Sequence, residues 1–149
     1  MTIHLDHTIV GARDKQESAT FLSDIMGLPE PESYGPFLMV RIDEHLTLDF
    51  ADWGDDIQTQ HYAFLVDEQE FDEIFGRIRS RDLRYFADPH RDQVGEINTR
   101  DGGRGVYFED PAGHMLEILT RPYGSGAPAG EPQAGEPQAG ELQAGEPQA

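Results

Sequence analysis

One order of residues occurs twice in this chain and limits its fold more than any other feature. A β-prone run bearing a histidine leads, after six or seven residues, to an Asp-x-x-Glu helix start, and further β-prone runs follow. In the first half the run is Ile3 to Val10 with His7, and the helix start is Asp14 with Glu17. Ala19, Leu22, Ile25 and Met26 keep helical spacing until Gly27, a residue suited to a helix C-terminus. In the second half His61 opens the run to Val66, and Asp67 with Glu70 repeats the start. Phe71, Ile74, Phe75 and Ile78 then form the apolar stripe of an amphipathic helix reaching about Arg81. Pro29 to Pro36 reads as a connector, and strands are predicted over Phe37 to Ile42 and Leu46 to Phe50, joined through Asp43 and Glu44. A short strand over Arg84 to Ala87, a polar loop over 88–103 and a closing hairpin follow. Each half thus reads as strand, helix and further strands, an α+β pattern with modules of about 1–55 and 56–124.

The closing hairpin poses the chemical question. Val106 to Glu109 and Met115 to Thr120 flank Asp110-Pro111-Ala112-Gly113, with turn residues where a type I turn favours them. Alternation puts Met115, Glu117 and Leu119 on one face, so Glu117 sits mid-strand among apolar neighbours. A carboxylate there has to be paired, protonated or bound to a metal. Leu46 to Phe50 shows a related asymmetry: His45, Thr47 and Asp49 face one way and apolar residues the other, as in a sheet with one side open to a cavity.

Composition removes several function classes. The 149 residues carry a formal charge of −18, which disfavours nucleic acid and anionic membranes as partners. Without cysteine there is no disulfide, thiolate ligand or cysteine nucleophile, and Lys15 is the only lysine. No run is long enough to span a bilayer, so a soluble, cytoplasmic protein is expected. Residues 125–149 consist of Gly-Glu-Pro-Gln-Ala units whose low apolar content predicts a disordered spacer.

His7, His61 and Glu117 remain as candidates. Two imidazoles and a carboxylate with open positions suit one divalent ion: Fe, Mn, Ni, Co or Zn. The alternative is a histidine bonded to backbone and a glutamate paired with arginine.

The stretches around His7 (Leu-Asp-His-Thr-Ile-Val), His61 (His-Tyr-Ala-Phe-Leu-Val) and Gly105 to Ile118 resemble the vicinal oxygen chelate superfamily, which contains glyoxalases, fosfomycin resistance enzymes, bleomycin-binding proteins and extradiol dioxygenases. The resemblance spans Ile3 to Pro122. It implies two βαβββ modules forming a cupped mixed sheet around a metal cavity, a homodimer, and His7, His61 and Glu117 at the metal positions. Against glyoxalase I the fourth ligand position falls nearest Thr47, with Asp49 two residues on. The three-ligand pattern is nearer to the fosfomycin-type and extradiol enzymes. Tyr107 matches a substrate-contacting tyrosine of the former and, with Glu117, is the candidate catalytic residue. His45 and Tyr62 are further acid–base candidates; Thr47, Asp49, Trp53 and Arg104 are candidate substrate contacts, and His114 reads as structural. The implied activity is metal-dependent chemistry on a small substrate with vicinal oxygens, by isomerisation, addition or ring opening. A ligand-sequestering protein without catalysis and a small extradiol dioxygenase are the alternatives.

Overall fold

The computed structural model describes residues 2–126, so the expectation for the repeat tail beyond them lies outside the described residues. The order is β1 (His7–Ala12), α1 (Lys15–Met26), β2 (Glu32–Tyr34), β3 (Phe37–Arg41), β4 (Thr47–Asp52), β5 (His61–Leu65), α2 (Glu68–Ser80), β6 (Tyr85–Phe86), a 3₁₀ turn (Arg100–Gly102), β7 (Gly105–Glu109) and β8 (Met115–Leu119). Two four-stranded mixed sheets result, ordered β1-β4-β3-β2 and β5-β8-β7-β6. They repeat one topology, with the first strand parallel to the last and the rest antiparallel. This is the α+β arrangement of paired βαβββ modules.

Local chemistry accounts for the helix ends. The Asp14 carboxylate accepts from the N–H groups of Gln16 and Glu17, capping α1 from one side, and Gly27 closes the helix at φ 72. In α2 the capping box is complete: Asp67 accepts from the Glu70 N–H, and Glu70 accepts from the Asp67 N–H. Two sequence expectations shift. The first strand begins at His7 rather than Ile3, because pairing starts where His7 meets Thr47 and leaves Ile3 and Leu5 exposed. The connector Pro29 to Pro36 contains β2, an exposed edge strand paired to β3.

Both helices cover one side of the sheets, and a single core joins the modules. It includes Val10, Leu22, Ile25, Val40 and Phe50 from the first, with Phe71, Ile78, Phe108, Leu116 and Ile118 from the second. Polar ties cross the same seam. Arg77 donates to the Ile25 carbonyl at 2.9 Å, and Arg13 to the Pro111 carbonyl at 2.7 Å. His114, fully buried, accepts from the Gln60 N–H on Nδ1 and therefore donates through Nε2 to the Gly11 carbonyl, 2.8 Å away. Its structural reading is thus specific: it bonds one module to the other. Among the described residues no helix is long and apolar enough to cross a membrane.

Candidate metal centre

The faces turned away from the helices carry the chemistry. In the second module His61 stands on edge strand β5, and Glu117 on β8 lies opposite Ala63. Glu117 is 2% exposed, and its Oε2 lies 3.1 Å from His61 Nε2. The other imidazole nitrogen faces the Met115 carbonyl at 3.1 Å, so Nδ1 bears hydrogen and donates to it. In the neutral ring Nε2 then presents a lone pair toward a carboxylate oxygen. Two acceptors at that separation need a proton or a cation between them. A proton there explains why His61 titrates above the ordinary histidine value: the bond to Glu117 outweighs the opposing effect of burial.

Tyr107 on β7 pairs across the ladder with Glu117, and its ring stacks on His61 at 5.8 Å between centroids. Burial, then the Glu117 charge, raises its phenol well above the ordinary tyrosine value, so Tyr107 stays neutral and holds its proton. With Phe86 and Met115 it forms an apolar cluster behind the polar groups. Such walls lower the local dielectric and strengthen the charges they surround.

The first module offers a matching surface. A cavity of about 340 Å³ is lined by His7, Ile9, Tyr34, Arg41, Thr47 and Asp49 among others, with His45 at its edge stacked on His4. His7 is exposed and bonded at 2.7 Å to Asp6, which, chiefly, raises its titration point; Asp49 adds to the effect. Asp49 is buried and accepts from the Thr47 hydroxyl at 2.9 Å.

Strand register corrects one expectation. In the second module the carboxylate faces the residue two beyond the histidine, Glu117 opposite Ala63; in the first, Asp49 lies opposite Ile9 in the same relation to His7. Asp49, rather than Thr47, is therefore the first module's counterpart of Glu117, and a carboxylate does occupy that place. Thr47 is the hydroxyl that orients it.

The structure brings His61, Glu117 and Tyr107 together, and separately His7, Thr47 and Asp49. His7, the remaining nominated donor, lies on the other sheet from His61 and Glu117, and among the described residues no group of three His, Cys, Asp or Glu side chains is close enough to hold a metal. Trp53 lies over Gly11, where any β-carbon would collide with its ring, and is not among the residues lining the cavity. Arg104 is held by Glu68 at 2.7 Å and Asp72 at 2.8 Å on α2, well occupied without a substrate. Tyr62 packs with the core, edge-on to His114. Sequence reasoning passed over Arg100, whose Nη1 donates to the Tyr107 hydroxyl at 2.9 Å. It sits in a polar loop without periodicity, and only the fold brings it to β7.

The description "Glyoxalase/Bleomycin resistance protein/Dioxygenase superfamily" belongs to a family that matches residues 4–118. The fosfomycin resistance protein FosX of Listeria monocytogenes serovar 1/2a is 32% identical over 123 residues, covering 76% of this chain and 86% of that protein. Among solved structures, Oxidase ChaP-H2 is 60% identical at a TM-score of 0.82, covering 85% of this chain and 100% of the other. Oxidase ChaP-H1 is 58% identical at 0.80, covering 83% and 99%. With its repeated module and the family match over nearly all of the described residues, this chain belongs to the glyoxalase/bleomycin resistance/dioxygenase superfamily.

Proposed function

We propose that this protein is a metal-dependent oxidase of a small substrate with two adjacent oxygens, and that its sites are completed between two copies of the chain. Members of the superfamily use a divalent metal, act on small molecules and commonly form dimers. The two oxidases at 58% and 60% identity favour oxidation, with O₂ as the electron acceptor, over the addition chemistry suggested by the more distant FosX.

The observation that carries the reading is the 3.1 Å approach of a tautomer-fixed imidazole to a buried carboxylate. The pair fits a cation: one neutral nitrogen donor, one anionic oxygen donor, and a carbonyl holding the ring in place. His7 of a second copy would supply the third donor. Its own strand, like that of His61, lies at a sheet edge with the side chain exposed. Two histidines and a carboxylate are the donor set of Fe(II) oxygenases and also suit Mn, Co, Ni or Zn; the bound ion would supply Lewis acidity and, as iron, reactivity toward O₂.

The chain's residues divide the remaining work. Glu117 provides negative charge in a dry setting, and the Met115 carbonyl keeps His61 in register. Tyr107, neutral and rigid, holds a proton at Oη beside a substrate oxygen. Asp49, oriented by Thr47, stands ready to accept the proton that a hydroxyl must lose as the substrate is oxidised.

The test is metal content by mass spectrometry on untagged protein purified without added metal, beside His61→Ala and Glu117→Gln. Oxygen uptake with a panel of catechols and α-hydroxyketones follows. Near-stoichiometric iron, lost in both variants, with substrate-dependent oxygen uptake, is expected. Manganese or zinc without oxygen uptake would move the reading to Lewis-acid addition, and failure to take up any of the five ions would overturn it in favour of ligand sequestration.

A further inference from the structure

Three arginines among the described residues are partly buried: Arg77, Arg100 and Arg104. Arg77 has Glu73 at 3.8 Å, and Arg104 has Glu68 and Asp72. Arg100 has no carboxylate in ion-pair range among the described residues, in a chain where acidic residues outnumber basic ones by 29 to 11. Among the described residues its side-chain hydrogen bonds go to neutral oxygens: Nη1 donates to Tyr107 Oη at 2.9 Å and Nη2 to the Ala87 carbonyl at 3.3 Å. Its Nε is buried and has no hydrogen-bond partner among the described residues. A sheltered cation without a counter-charge is unfavourable, and a guanidinium has five N–H groups to satisfy. The guanidinium carbon also lies 5.7 Å from the Tyr107 ring centroid, and the loop carrying Arg100 is pinned independently by Asn98, whose side chain donates to Ala87 O and accepts from the Arg100 N–H.

The position suggests an explanation. Tyr107 separates Arg100 from the His61–Glu117 pair, with Arg100 at its hydroxyl and His61 stacked on its ring. Since the Tyr107 oxygen accepts from Arg100, its own hydrogen points elsewhere. The acceptor the chain offers is the Tyr123 hydroxyl, 3.5 Å away on an exposed side chain. A strong acceptor beside the pair would receive the Tyr107 O–H and a guanidinium N–H together.

We propose that Arg100 and Tyr107 form a subsite for an ionised oxygen, carboxylate or phenolate, next to the candidate metal centre, and that the ligand is therefore an organic anion. This deepens the oxidase reading by naming the substrate class, and rests on it only in taking that ligand for the substrate. Arg100 supplies the charge and a planar fork, and Tyr107 supplies a second donor at a fixed angle.

Ligand-observed NMR titrations on the full-length, metal-free protein test this independently of any oxidase activity. The probes are benzoate, 4-nitrophenolate above its ionisation point, and benzamide as the neutral isostere. One of the anions should bind at least about tenfold more tightly than benzamide, as a charge-assisted bond implies; which anion it is separates the two sources. Arg100→Met should abolish the preference, Arg100→Lys should retain part of it, and Tyr107→Phe should weaken the anion without removing the preference. Equal binding of anion and amide, no binding of either anion up to its solubility, or a preference surviving in Arg100→Met would each overturn the proposal. Should Arg100→Met fail to fold, the arginine Nε–H resonances of the wild-type protein decide. The signal missing from Arg100→Lys must be one that the bound anion shifts, and a spectrum in which it stays still overturns the proposal too.

Discussion

His61 is a residue whose protonation the geometry dictates. Hydrogen bonding to Glu117 raises its titration point above 6.5 against the pull of burial. In the metal-free protein, NMR of the imidazole should show that elevation, and Glu117→Gln should return it toward 6.5. The sign follows by linkage: the folded value is the higher one, so the stabilisation is complete below the unfolded value and is lost as pH rises through the folded value. Metal uptake should run the other way, strengthening over the same interval as the proton leaves, which a competition titration at several pH values would show. Much of this was legible in the sequence, because strand alternation alone placed Glu117 on a face with Met115. Two features were not. That Asp49 corresponds to Glu117 depends on strand register, and the role of His114 depends on a carbonyl 103 residues away. No local pattern encodes either.

At the level of elements the helix starts were the most readable features, since Asp-x-x-Glu is a local signal with a local cause. Asp67→Ala removes the acceptor of the Glu70 N–H and should cost about 0.5–2 kcal/mol. Urea unfolding should show a lower midpoint at unchanged slope. β2 was not readable: it is short, exposed on both faces and set among prolines, so it exists because β3 offers a free edge rather than because its own residues favour a strand. The turn before β8 is more demanding than its sequence suggests. Asp110 accepts from the Ala112 and His114 N–H groups, and this places the His114 ring across the seam. Replacing His114 by Leu leaves the Gln60 N–H and the Gly11 carbonyl unpartnered, an expected loss of about 1–3 kcal/mol for each group by the same urea measurement.

Across the whole molecule, the shared core fixes how two modules pack within a chain, yet leaves His7 apart from His61 and Glu117. The proposed assembly of sites between copies gives a sharp expectation. His7→Ala and His61→Ala should each lose metal alone, while a mixture allowed to exchange subunits should regain roughly a quarter of the sites, since only mixed dimers rebuild one intact set. Metal analysis before and after exchange checks it; no recovery would place the third donor elsewhere. Such pairing leaves no mark in a single chain's periodicity, so the sequence could nominate His7, His61 and Glu117 without saying which copy would supply each. The seam that holds the modules together also carries the chain's only tryptophan: Trp53 is half exposed over Gly11, the residue whose carbonyl receives His114. The protein therefore contains an intrinsic fluorophore packed on the residue whose carbonyl ties its halves together. Its emission should redden when the halves part even if both sheets survive, so comparing fluorescence with far-ultraviolet circular dichroism along one unfolding curve would separate module parting from module melting without any added label.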